Sequence, residues 1–302
     1  MSTPRESVAD LVVDPVAVAG LAGLLGTTDL DLRAGAALPP LWHWAALARW
    51  PDPRMLGPDG HPRRGTGIMP EVALPRRMFG GGNLTFHAPI PVGGEVTVTS
   101  RASEPRERAG RSGPLILVDL TVAVHDRTGS LLLEEIQNLV YTNARAESVR
   151  VEPSPAPLAD ELIGSARDGA EGETRSDLRT DPVRLARFSA LTANSHRIHT
   201  DWPYATGVEG YPGLVVHGPL MAIALAEAGR RAGASPPRTL RHRGLAPLFC
   251  GEPAELVARP GASTLLEVVS PGIADAASRV HARVELDYGL REPHENCTEG
   301  ES

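Results

Sequence analysis

Lysine is absent from this chain of 302 residues: all 30 basic residues are arginine. Schiff-base catalysis, pyridoxal phosphate attachment and a phosphate-loop lysine are excluded by that absence alone. Cysteine is nearly absent as well, with only Cys250 and Cys297, which leaves neither a disulfide framework nor a thiolate metal site. Positive charge is in deficit, 30 arginines against 37 acidic residues for a net charge of −7. That balance argues against nucleic acid as the partner, because phosphate binding needs a basic surface. No apolar run approaches the ~18–20 residues of a membrane span. The opening MSTPRESVAD has no apolar secretory core. These absences read as a cytoplasmic protein with no membrane and no nucleic-acid partner.

What is present is ordinary globular material, 41% hydrophobic and 22% charged. The length suits two domains, or one built twice. Residues 10–25 are short and apolar, helical in part, with Pro15 as an interruption. Leu38–Trp50 reads as a buried helix started by two prolines. The Pro- and Gly-rich stretch 51–75 reads as a long, functional loop. Strand signals follow in NLTFHAPI, VTVTSRA, LILVDLTVAVHD and LLLEEIQNLVYT, with Val118, Leu120, Val122 and Val124 alternating.

The second half repeats this plan. Asp181–Thr192 reads as a helix capped by Asp181 with Pro182 in its first turn. Gly218–Gly233 reads as a buried helix ending in Arg230 and Arg231. Strands follow, the last alternating at Val280, Ala282, Val284, Leu286 and Tyr288. PIPVGGEVTVTSR in the first half aligns with LAPLFCGEPAELVARP in the second. A helix followed by antiparallel strands, done twice, predicts an α+β fold made of two copies. The boundaries expected are a first domain at 1–142, a flexible linker at 143–176, a second domain at 177–292 and a disordered tail at 293–302.

Chemistry-bearing residues are densest in 187–220, which holds His196, His199 and His217 with Asn194, Arg197, Asp201 and Tyr204. A histidine with a reference pKa of ~6.5 exchanges protons near neutrality, so His199 suits a general acid–base. Asn194, five residues earlier, suits holding a water or a carbonyl. Gly218 opens the buried helix, and its free N–H at the positive end of the helix dipole suits a developing oxyanion. Plainer readings stand beside these. The histidines can be loop structure, His217 a helix cap, and Asp201 with Tyr204 a turn. A metal on His196, His199 and Asp201 lacks zinc spacing, and no G-x-S-x-G elbow is present. Gly80–Gly82 lack the dinucleotide pattern and fit a turn or a close backbone approach. No cofactor and no metal is called for.

FSALTANSHRIHTDWPYA followed by GYPGLVVHGPLMA resembles the MaoC-like, hydratase-2 enzymes, in particular the hydroxyacyl-thioester dehydratase type 2 branch with its mesaconyl-C4-CoA and itaconyl-CoA hydratases. LGPDGHPRRG, LPRRMFGGGNLTFHAPIPVGGEV and RSGPLILV resemble the amino-terminal dehydratase domain of the same branch. The resemblance implies a double hot-dog fold, with two antiparallel sheets each wrapped around a long helix. It implies reversible hydration of an enoyl thioester by a hydro-lyase. The substrate expected is a short, carboxylated acyl-CoA or an acyl carrier protein thioester, with the catalytic loop in the second half and the acyl pocket shaped by the first. His199 matches the catalytic histidine and Gly218 the oxyanion glycine. The hydratase-2 pattern has aspartate where this chain has Asn194, and an amide can orient water but cannot take its proton. By the same resemblance Arg76 and Arg77 flank the pocket, to meet a substrate carboxylate or CoA phosphates unless they are structural. Arg197, Tyr204 and His217 are the other candidate substrate contacts. An acyl-thioester-binding or repurposed protein, thioesterase included, is the alternative. Two hot dogs in one chain already form a pseudo-dimer, and a homodimer of such chains is compatible with it.

Overall fold

The computed structural model describes residues 5–110, 113–143, 161–259, 263–271 and 278–289. Twelve strands carry the fold. In the first half they are β1 (Glu6–Val12), β2 (Arg76–Phe86), β3 (Glu95–Ala102), β4 (Arg106–Gly110), β5 (Gly113–Asp126) and β6 (Leu131–Thr142). In the second they are β7 (Arg167–Asp168), β8 (Thr174–Leu178), β9 (Thr239–Gly244), β10 (Ala254–Arg259), β11 (Thr264–Ser270) and β12 (Arg279–Asp287). All join one antiparallel sheet in the order β1-β3-β5-β6-β2-β9-β12-β11-β10-β8-β7, with β4 beside β5. Read outward from the β2–β9 pair, the order is mirrored: β6 answers β12, β5 answers β11, and β3 answers β10. That palindrome is the duplication seen in the aligned segments, for PIPVGGEV leads into β3 and LFCGEPAELVARP contains β10. The fold is the double hot dog, its two sheets joined edge to edge.

The junction depends on glycine. Gly81 pairs with Arg243 across the seam, at φ +145, and a Cβ there would lie 2.4 Å from the His242 carbonyl oxygen. The GGG run is therefore a close backbone approach inside a strand and not a turn.

Helix α4 (Gly218–Arg231) is the one the second half wraps. Leu220 to Glu227 are all buried, so its apolar surface is covered nearly all round, as the sequence predicts. Gly229 leaves room for Leu266 and Leu286 of the sheet, each of which a Cβ there would crowd at 3.3 Å. At its end the buried Glu227 accepts from Arg230 (2.7 Å), Arg231 (3.0 Å) and Thr27 (2.8 Å). Arg230 reaches on to Asp29. These bonds tie the end of α1 (Pro15–Leu25) to the end of α4.

Several expectations are corrected. Pro15 does not interrupt a helix. It starts α1, with Asp14 capping Val16 N at 2.8 Å, because the first turn needs no proline N–H. The residues before it form edge strand β1. The helix expected over 38–50 is the single turn α2 (His43–Ala46), since Pro39, Pro40 and the left-handed Leu41 (φ +70) set turns instead. The linker expected over 143–176 is structured in its later part. Leu162 and Ile163 are fully buried, Ile163 bridges Leu178, and β7 and β8 extend the sheet. Two apolar residues anchor that edge without making a periodic signal. Residues 144–160 and the tail at 293–302 lie outside the described residues. The second-half helix α3 (Pro182–Leu191) is capped by Asp181, whose Oδ1 accepts from Arg184 N at 2.9 Å. Among the described residues no helix is long and apolar enough to cross a membrane.

Candidate active site

His199 sits at the end of the single turn Arg197–His199, between α3 and α4. Its Nδ1 lies 2.7 Å from the Val215 carbonyl oxygen. A carbonyl only accepts, so Nδ1 carries the proton and Nε2 keeps its lone pair. Burial pushes the His199 pKa down to about 4, against the Val215 hydrogen bond, which raises it. At neutral pH the ring is a neutral base with one free nitrogen.

That ring belongs to a row of four. His217 stacks on it with centroids 3.7 Å apart and planes 19° from parallel. His196 stands edge-on to His199 at 5.5 Å, and His61 lies against His196 at 3.9 Å with the rings tilted by 38°. His217 is fully buried, and its Nε2 lies 2.8 Å from Ser189 Oγ of α3. It precedes α4 but makes no side-chain cap, so it serves as the floor under His199. Burial holds His196 and His217 far below the ordinary histidine value, and takes His61 down to about 4.

Asn194 belongs to the loop as much as to the site. Its Oδ1 accepts from His196 N at 3.0 Å, its N–H donates to Ser189 O at 2.8 Å, and Nδ2 is left to offer. Gly218 is the first residue of α4, where backbone N–H groups have no partner within the helix. It packs against Phe79 of β2, which a Cβ at Gly218 would meet at 3.5 Å. His199 and the N-terminus of α4 are thus adjacent, brought together by the His199–His217 stack and the one-residue step from His217 to Gly218.

The arginines divide. Arg76 is ion-paired with Glu209 at 2.6 Å and lies over the Tyr211 ring at 5.3 Å. Arg77 is hydrogen-bonded to Tyr141, its cross-strand neighbour, and burial pushes its pKa down. Its charge also acts on His61 and His196. Arg197 is held inside the loop. It bonds Asp201 at 2.7 Å and the Pro58 carbonyl at 3.0 Å, and it lies 4.1 Å over the Tyr204 ring. The Tyr204 hydroxyl donates to Glu209 Oε1 at 3.1 Å. Asp201, in that pairing with Arg197, does not join His196 and His199 in a metal trio.

Two residues of the site come from the first half and escape the sequence reading, Asp59 and His61. Both lie in the GPDGH turn of the long loop, a stretch that the sequence marks as functional and family-like without singling out either residue. The turn is docked on the loop that carries His199. Arg197 N donates to Asp59 O at 2.9 Å and Ser195 Oγ to Gly60 O at 2.5 Å. Asp59, His61 and His196 form the trio, among the described residues, whose donor atoms lie within 4.8 Å of one another. Asp59 already bonds His61, the His61 and His196 rings are in contact at 3.9 Å, and the Arg77 charge is close. The arrangement suits a hydrogen-bonded cluster better than a cation cage.

Gly60 makes that docking possible. It sits at φ +89, and a Cβ on it would lie 1.9 Å from the Ser195 carbonyl oxygen. Gly60→Ala is expected to lower the melting temperature and cut kcat at least about tenfold, because the clash moves the loop that carries His199. A variant with wild-type kcat would show that the turn does not position the loop.

Comparison with known proteins fits this geometry. The family model of hydroxyacyl-thioester dehydratase type 2 matches residues 41–250. Mesaconyl-C(4)-CoA hydratase of Chloroflexus aurantiacus is 41% identical over 254 residues, 84% of this chain and 85% of that protein. The mitochondrial hydroxyacyl-thioester dehydratase type 2 of Schizosaccharomyces pombe is 35% identical over 136 residues, 44% of this chain and 41% of its own. Among solved structures, HtdX of Mycobacterium tuberculosis matches with a TM-score of 0.64 at 20% identity, covering 94% of this chain and all of that one. Another Mycobacterium tuberculosis protein, described as a double hotdog fold, matches at 0.57 and 17% identity over 95% of this chain and 96% of its own. At those identities the structures speak for the fold alone.

Proposed function

We infer the substrate from one premise: the chain belongs to the hydroxyacyl-thioester dehydratase type 2 family. It is a hydro-lyase that adds water to an enoyl thioester or removes it from a 3-hydroxyacyl thioester. The substrate we assign is a short acyl-CoA carrying a second carboxylate, such as mesaconyl-C4-CoA or itaconyl-CoA. The name of the Chloroflexus relative supports it, and so does Arg77, whose charge acts on His61 and His196, since arginine suits carboxylate binding; Arg76 is already matched by Glu209.

The observation that carries the mechanism is the free Nε2 of His199 next to the start of α4. The thioester oxygen lies at Gly218 N–H. Nε2 takes a proton from water as the water oxygen bonds Cβ. The electron pair of the double bond moves through Cα onto the thioester oxygen, where Gly218 N–H and the helix dipole stabilise it. The imidazolium then returns the proton to Cα, so no proton is gained or lost. Asn194 Nδ2 donates to the attacking water, and His217 keeps His199 flat. Purified protein mixed with mesaconyl-C4-CoA, itaconyl-CoA and crotonyl-CoA tests this reading. Loss of enoyl-thioester absorbance with a gain of one water by mass is expected for the carboxylated substrates above all. Preference for crotonyl-CoA would remove the carboxylate from the assignment.

A further inference from the structure

When His199 takes the water proton, a cation forms where burial favours neutral groups. Position 194 offers it an amide and no counter-charge. Two carboxylates face the histidines from elsewhere. Glu209 is occupied by Arg76 at 2.6 Å and by the Tyr204 hydroxyl at 3.1 Å. Asp59 has no arginine within ion-pair distance among the described residues. Its Oδ1 accepts from His61 N at 3.0 Å, and its Oδ2 lies 3.4 Å from His61 Nδ1. Burial pushes the Asp59 carboxyl up, and His61 and Arg77 outweigh it, so it stays ionised at neutral pH. From Asp59 the contacts run without a break: His61, then His196 at 3.9 Å, then His199 at 5.5 Å.

We propose that Asp59, acting through His61, is the counter-charge of the reaction, a positioning pair in the first half that supplies what Asn194 cannot. This rests on the hydration reading above. The Arg197 N–H donating to the Asp59 carbonyl and the Ser195 hydroxyl donating to the Gly60 carbonyl fix the pair in place, so the charge is preorganised and costs no rearrangement during turnover. The groups facing the histidine row set the sign. Arg76 and Arg77 of β2 oppose a proton on it. Tyr141 of β6, Ser189 of α3 and His217 are neutral. Glu209, though paired with Arg76, favours a proton on His61, and Asp59 does so as the carboxylate bonded to that ring. Removing the Asp59 charge lowers the pH at which His199 protonates.

The test is Asp59→Asn in the full chain, assayed on the enoyl-CoA that the wild type hydrates best. Its kcat is expected to fall about 10- to 100-fold with KM changed less than about threefold. The acidic limb of the kcat/KM profile moves to lower pH. Asn194→Asp in that background keeps the cap on His196 N, returns a charge to the loop, and is expected to recover about tenfold and move the limb back. His61→Gln is expected to lower kcat as Asp59→Asn does, because it breaks the contact from Asp59 to His196. Wild-type kcat and limb in Asp59→Asn overturn the proposal. So does a loss that Asn194→Asp leaves unrecovered, which would make Asp59 a residue of loop folding. A wild type that hydrates none of the thioesters fails before any variant is made, and it defeats the hydration reading and this proposal together.

Discussion

His199→Ala is expected to lower kcat by about 10²–10⁴-fold, the usual contribution of a positioned acid–base group. The geometry puts the effect in that range. The Val215 carbonyl, 2.7 Å from Nδ1, fixes the tautomer that leaves Nε2 unprotonated. Its neighbours in the row cannot replace it without a shift, because His217 is stacked beneath it and bonded to Ser189, and His196 stands edge-on. Alanine also removes the ring on which His217 rests, so His199→Gln is the better control for packing. Both variants are expected to bind acyl-CoA with KM within a few-fold of wild type. Near-normal turnover by either would remove His199 from the chemistry.

Acidification from pH 7 to 4.5 is expected to cost the protein much of its stability before most carboxylates titrate. His61, His199 and His242 all have folded-state pKa values pushed down to about 4, chiefly by burial. In the unfolded chain each returns to about 6.5. Between those values the unfolded state binds more protons, so stability is fully present above about 6.5 and falls as the pH drops toward 4. Each group loses roughly 3 kcal/mol across that window, and three together approach a typical total of about 5–15 kcal/mol. Denaturant titrations at pH 7.5, 6 and 5 measure it. A stability unchanged from pH 7.5 to 5 would mean that these rings are charged or hydrated in the folded protein.

Much of this architecture is legible in the chain. The period-two strands, the buried helix of α4 and the Asp181 cap depend on local pattern, and they appear where local pattern puts them. The expected helix over 38–50 fails for a local reason too: prolines start a helix well only when the residues around them take helical angles, and Leu41 at φ +70 does not. Leu162 and Ile163 show the opposite limit. Their burial is set by the edge of a sheet whose other strand, β10, lies about ninety residues away.

The site divides in the same way. His199, Asn194 and Gly218 lie within 25 residues of one another, on a loop and the helix that follows, so their spacing already pointed to chemistry. Asp59 and His61 are more than 130 residues from His196, and no periodicity can announce a contact across that distance. The duplicated plan, the exclusion of lysine chemistry and the histidine loop before a buried helix can all be read from the chain, because each depends on residue type and short spacing. Which nitrogen of His199 is free, the matching of Arg76 by Glu209, and the carboxylate of the first half that faces the histidines of the second emerge on folding. The first depends on the Val215 carbonyl within the second half, and the other two on packing between the halves, which supply each other's charges and hydrogen-bond partners.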